Sequence, residues 1–238
     1  MNLTKSAIKN FCISIFLTAA LTLVMLWLKV PLMVNNILIF SCLATVLGVA
    51  GILVIRNPQN YTGFYFGAIS SVCLGIQFFL MKKFDLTFLY FFVFIPFQIA
   101  GLLNWKKESM IDNKTAVLKP EFLPFNKQFV FFGIFVLITA VDYVFASFCL
   151  QDFKNLLFFD SFFIKTTSSV MISASILSNY LMVSKKTDAW LYWLLYSISA
   201  VALALIIKNS FNLLLFGFFL VINASGFISW LKIKNRHC

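Results

Sequence analysis

The chain has 238 residues, of which 61% are hydrophobic and only 11% charged, with a net charge of +11. Soluble domains carry about 25% charged residues, so this composition excludes a water-soluble globular protein and places the chain in a bilayer. The excess Lys and Arg sit mostly in loops on one side, where they set orientation and attract anionic headgroups; nucleic-acid binding is not expected.

Eight apolar runs are long enough to span a bilayer, which takes about 20 residues. In order they cover about 10–29, 36–55, 61–81, 84–105, 128–150, 158–184, 188–207 and 209–231. Only Lys82 and Lys83 separate the third run from the fourth. Merged, these two would be too long for one crossing. The first run follows Lys5 and Lys9 without a small-residue cleavage pattern, so it reads as a retained helix.

With eight spans both termini fall on one side. That side holds Lys5, Lys9, Arg56, Lys106, Lys107, Lys114, Lys119, Lys127, Lys185, Lys186, Lys232, Lys234 and Arg236, against Lys29, Lys82, Lys83, Lys154 and Lys208 opposite. The positive-inside rule makes the richer side cytoplasmic. The polar stretch 106–127, with Pro120 and Pro124, reads as a cytoplasmic linker between two halves.

Cys12, Cys42, Cys73, Cys149 and Cys238 form no CxxC pair and read as small apolar side chains, and the sole histidine is His237 at the end of the chain. No metal site, cofactor or nucleophilic catalysis is expected from this set. Asp142 and Lys165 fall inside spans, where charges are expensive and either pair structurally or serve function. Pro96 and Gln98 put a kink beside an amide that must find a partner.

The seventh run opens Asp188-Ala-Trp190-Leu-Tyr-Trp193-Leu-Leu-Tyr196-Ser197. Helical spacing puts Trp190 and Trp193 on one face with Tyr196 and Ser197 on the next turn. From spacing alone this is either an interfacial aromatic belt or a binding face. An internal echo bears on the choice. Run four ends Gln98-x-x-Gly101-x-x-x-Trp105, and run eight ends Asn223-x-x-Gly226-x-x-x-Trp230, each followed by Lys within two residues. More weakly, Phe64-x-x-Gly67-x-x-x-Ser71 matches the spacing of Trp190, Trp193 and Ser197. The echoes pair runs two to four with runs six to eight. Three helices per repeat and one helix between them give a parallel repeat, an arrangement of transporters with a site between the halves.

These residues, together with Asn60-Tyr61, Gly67 and Phe159-Asp160-Ser161, resemble the PnuC family of vitamin-precursor transporters over about residues 36–232. The resemblance implies an all-α fold of eight transmembrane helices, with a SWEET-like parallel pair of three-helix repeats. The divisions are an extra N-terminal helix (1–35), the first repeat (36–105), a linker and linker helix (106–157), and the second repeat with a basic tail (158–238). It implies uptake of a small cationic vitamin precursor, most often nicotinamide riboside, by facilitated diffusion through a bacterial inner membrane, with trapping by a cytoplasmic kinase that need not touch the transporter. Thiamine or riboflavin transport is the alternative within the family. An integral-membrane transferase or an assembly subunit is a distant alternative, since no cluster of Asp, His or Arg marks a catalytic interface. Homo-oligomerisation is left open.

The substrate contacts so implied are Trp190, Trp193, Tyr196, Ser197, Asn223, Gln98, Ser70 and Asp160. Flat cationic rings are attracted to aromatic faces, which both nicotinamide riboside and thiamine would exploit. The chain also departs from the family pattern. Ser197 stands where relatives carry Asn, Ser70 where they carry an amide, Phe91 where they carry Gln, and Gln98 where they often carry Asn.

Overall fold

The computed structural model describes residues 2–27, 35–56, 60–80, 87–111, 121–149, 158–206 and 210–235. They form eight helices: α1 Asn2–Trp27, α2 Asn35–Ile55, α3 Gly63–Leu80, α4 ending Ile95–Ile111, α5 Phe125–Cys149, α6 Phe158–Val183, α7 Asp188–Ile206 and α8 Ser210–Asn235. The eight apolar runs are recovered in order. Helix ends reach further than apolarity alone predicts, to Ile111 in α4 and Asn2 in α1, because polar turns rich in Lys continue the helices beyond their apolar runs.

Five helices are, among the described residues, long and apolar enough by themselves to cross a membrane: Gly63–Leu80, Leu89–Lys107, Phe125–Ser147, Asp188–Ile206 and Phe216–Ile233. Shorter apolar stretches lie at Ile8–Ala20 in α1 and Cys42–Ile55 in α2. The α6 helix carries Thr166, Thr167, Ser168, Ser169, Ser173, Ser175, Ser178 and Asn179, which dilute its apolarity. Most of these side chains satisfy themselves locally. Ser173 donates to the Ser169 carbonyl at 2.8 Å and Ser178 to that of Ser175 at 2.9 Å, as membrane helices require.

The first turns of α4 are π-helical over Leu89–Phe94, and the Ile95 N–H donates to the Tyr90 carbonyl five residues back. Pro96, which has no N–H, follows directly. The π segment thus ends next to the proline, where the regular hydrogen-bond ladder is interrupted. On α3, Asn60 Oδ1 accepts from the Thr62 N–H at 3.1 Å and from the Thr62 hydroxyl at 2.6 Å. This local turn starts the helix.

Six helices pack in a closed ring: α2 on α3, α3 on α4, α4 on α6, α6 on α7, α7 on α8, and α8 back on α2. Outside the ring, α1 lies against α2 and α5 against α6. The outer faces of α5, including Phe129, Val130, Phe132 and Leu137, are exposed apolar surface that suits lipid.

Residues just before α5 fasten to the turn between α6 and α7. The Thr187 N–H donates to the Glu121 carbonyl at 2.7 Å, and Lys186 pairs with Glu121 at 3.0 Å. Buried Asp188 accepts the Leu123 N–H at 2.7 Å and the Gln128 amide at 3.3 Å. In the same turn Lys185 adopts φ 54° and lies over the Trp105 ring at 5.4 Å.

Candidate functional site

A cavity of about 330 Å³ runs through the middle of the ring, at the small end of the roughly 300–1,000 Å³ typical of ligand pockets. All six ring helices line it, whereas no described residue of α1 or α5 does. Of the expected contacts, Trp190, Trp193, Tyr196, Asn223, Gln98 and Ser70 are brought together on its wall. Ser197 is fully buried behind that wall. The Asp160 side chain lies outside the described residues. Asp142 and Lys165 line no part of the cavity, and Phe91, also off the wall, packs on Gly75 instead.

One end of the cavity is backed by aromatic rings. Phe64 meets Trp105 edge-on at 4.9 Å, and Trp190 meets Trp230 edge-on at 5.7 Å, while Trp105 and Trp230 are 6.1 Å apart. Both rear indoles have no exposed surface. They lie at the end of the ring beside Lys185 and Arg56, turned inward between helices. Each indole N–H is satisfied across the ring. Trp105 donates to the Met182 and Val183 carbonyls at 3.2 Å, and Trp230 to the Arg56 carbonyl at 3.1 Å. Phe64 lies against Gly101 and Trp190 against Gly226, so closely that a Cβ on either glycine would overlap the ring. The glycines of the amide-x-x-Gly-x-x-x-Trp echo are the seats for these two aromatics.

The polar part of the wall is rich in acceptors. Ser70 donates to the Ala44 carbonyl at 2.8 Å, Ser71 to that of Gly67 at 2.9 Å, and Ser175 to that of Ile172 at 2.8 Å. Each hydroxyl proton is thus engaged with backbone, leaving oxygen lone pairs as the free valence. The Gln98 amide nitrogen donates to Asn179 Oδ1 at 2.9 Å, and that of Asn223 to Ser197 Oγ at 2.9 Å. Gln98 Oε1, Asn223 Oδ1 and Trp190 Nε1 are buried with no protein partner. Buried polar atoms in native folds are nearly always satisfied, so three such atoms on one cavity wall mark a place for a polar ligand or water. The described lining includes no Lys, Arg, His, Asp or Glu.

Asn179 and Ser175 escaped the sequence reading, and Ser71 entered it only as a spacing echo of Ser197. The α6 pair had a signal in the Ser-x-x-Ser-Asn run at 175–179, whose polar residues fall on one helical face.

A ring of apolar helices around an uncharged, aromatic-walled cavity with a few polar groups defines a multi-pass membrane protein of the small-molecule transporter class. The comparisons agree with this class. The family model described as nicotinamide mononucleotide transporter matches residues 38–232, so the chain belongs to that family, known as PnuC. A relative, the nicotinamide riboside transporter PnuC of Neisseria mucosa, is 24% identical over 207 residues, covering 83% of this chain and 74% of that protein. A crystal structure of the vitamin B3 transporter PnuC superposes with a TM-score of 0.67 at 19% identity, covering 98% of this chain and 93% of the other.

Proposed function

We propose that the chain carries nicotinamide riboside across a bacterial inner membrane by facilitated diffusion, with both termini cytoplasmic and a cytoplasmic kinase trapping the product. The observation that carries this reading is the character of the cavity: aromatic, without charged side chains, and lined by hydrogen-bond acceptors. A ligand complementary to it is a flat cation bearing N–H and O–H donors. A phosphorylated nucleotide is a poor match. Its phosphate dianion would meet lone pairs with no Lys or Arg to pair it, and burying an unpaired charge is costly. The family description and the relative's name differ on this point, and the wall favours the unphosphorylated riboside.

In this reading the pyridinium ring lies against Trp193 and the cavity-facing side of Trp190, while Gln98 and Asn223 accept from the carboxamide and ribose. The ring packing supports a parallel pair of three-helix repeats, since the contacts α2–α3, α3–α4 and α4–α6 recur as α6–α7, α7–α8 and α8–α2. The two halves rock about the cavity to expose it to either side.

Calorimetry on the purified protein with nicotinamide riboside, its mononucleotide and thiamine tests the reading. Riboside binding at micromolar concentration, with the mononucleotide at least tenfold weaker, is the expected result. Trp193→Ala should weaken riboside binding about twofold to thirtyfold, the range of one cation–π contact. Tight binding of thiamine with no riboside binding would move the chain to the alternative substrate.

A further inference from the structure

We infer that Asn179 is a specificity-determining residue: by holding the Gln98 amide nitrogen it fixes the direction of that amide and turns the Gln98 carbonyl oxygen toward the Gly67 side of the cavity wall. An amide side chain offers a donor end and an acceptor end, and which end faces a ligand depends on what engages the other. Here the direction is set by a chain of bonds. Asn179 Nδ2 donates to the Ser175 carbonyl, four residues back on α6, at 2.8 Å. That carbonyl can only accept, so the Asn179 amide cannot turn over, and its Oδ1 is left to accept from Gln98 Nε2 at 2.9 Å. Gln98 in turn cannot reverse without setting its oxygen against another oxygen. Its Oε1 is the end left buried and unpartnered. Asn179 is itself 4% exposed, which shields this relay from competing water.

A second relay on the opposite side of the cavity has the same outcome. The Ser197 hydroxyl donates to the Trp193 carbonyl at 2.9 Å, so its oxygen accepts from Asn223 Nδ2 at 2.9 Å. Asn223 Oδ1 is again the unpartnered end. Ser197 does not touch the cavity; it acts through Asn223. The two relays give one acceptor from α4 and one from α8. A ligand must supply a donor to each, and a ligand that offers an acceptor at either place leaves two lone pairs facing each other, which buried sites reject strongly.

The inference rests on the proposed riboside substrate, and its test separates the two. Affinities of the full-length wild type, Asn179→Leu and Asn179→Asp would be measured by calorimetry for three ligands. These are nicotinamide riboside, nicotinic acid riboside (carboxylate in place of the amide donors) and the 2′,3′-di-O-methyl riboside (no ribose diol donors). Wild type should prefer the parent riboside by at least tenfold over one or both analogues. In Asn179→Leu the Gln98 amide is free to turn and donate, so that preference should fall at least fivefold. Asn179→Asp, buried beside the Ser175 carbonyl and so held protonated to donate to it, keeps an acceptor for Gln98 Nε2 and should keep the wild-type preference over the di-O-methyl riboside, the analogue that carries the parent's charge. A merely structural role would lower all three affinities together and leave their ratio alone. A ratio unchanged within twofold in Asn179→Leu, or lost equally in both variants, overturns the inference while the substrate reading stands. Failure of the wild type to bind any riboside overturns both.

Discussion

The close seat of Trp190 on Gly226 gives a sharp prediction. In Gly226→Ala the new methyl group meets Cζ3 and Cη2 of the Trp190 indole at overlapping distance and Cε3 at 2.7 Å. The indole has little room to move, because it is 1% exposed and already meets Trp230, one turn along α8 from Gly226, at 5.7 Å. Overpacking of this kind costs about 1–3 kcal/mol. Opposing it is the better helix propensity of Ala, worth about 1 kcal/mol over Gly. The control lies nine residues earlier on the same helix, where a Cβ on Gly217 would meet nothing within 4 Å. Gly217→Ala keeps the propensity gain without the clash. The difference between the two variants is therefore the overpacking term alone. At about 2–4 °C per kcal/mol for a chain of this size, Gly226→Ala should melt roughly 2–12 °C below Gly217→Ala in the same detergent. It should also bind substrate more weakly, since Trp190 lines the cavity. Equal melting temperatures for the two variants would refute the packing described here, and with it the reason for a glycine at this point of the echo.

Two further outcomes follow from the end of the cavity where the tryptophans meet. Trp105→Phe keeps most of the ring packing but removes the donor to the Met182 and Val183 carbonyls; it should lose about 1–3 kcal/mol of stability, and thermal unfolding no different from wild type would contradict a structural role for that bond. Burial lowers the Lys185 ammonium from 10.5 to about 8. The unfolded chain then holds a proton that the folded chain has released, so this group's contribution to stability rises with pH between about 8 and about 10.5. Lys185→Met should remove that rise in melting curves taken across the window, and an identical pH slope in both proteins would argue against it.

Much of the fold was legible because bilayer thickness imposes a length on every apolar run, and the eight helices followed from that constraint together with the one-sided Lys and Arg loops. The aromatic face at Trp190 and Trp193 was legible from helical spacing, and Gln98 and Asn223 from their place in a repeated pattern. What stayed hidden depends on partners distant in sequence. Trp105 looks the same in sequence whether its ring faces lipid or turns inward to donate to carbonyls 77 and 78 residues away. Ser197 reads as a contact because it follows Trp193 on the helix, yet its bond to Asn223 takes it off the wall. The direction of the Gln98 amide was unreadable for the same reason, as it is fixed by a residue on another helix. The π-helical start of α4 escaped because a proline signals a missing donor without saying what form the helix takes before it.

The crossed indole bonds have a mechanical meaning. The ring is joined into two triplets along two seams, α4 against α6 and α2 against α8. At the tryptophan end each seam carries its own ties. Trp105 reaches the end of α6 across one, while Trp230 reaches Arg56, and Arg56 reaches Ser225 at 3.0 Å, across the other. Neither seam is therefore a weak side along which the bundle can unzip. If the halves rock as proposed, opening this end breaks the ties of both seams, Trp105 to Met182 and Val183 on one and Trp230 and Arg56 on the other.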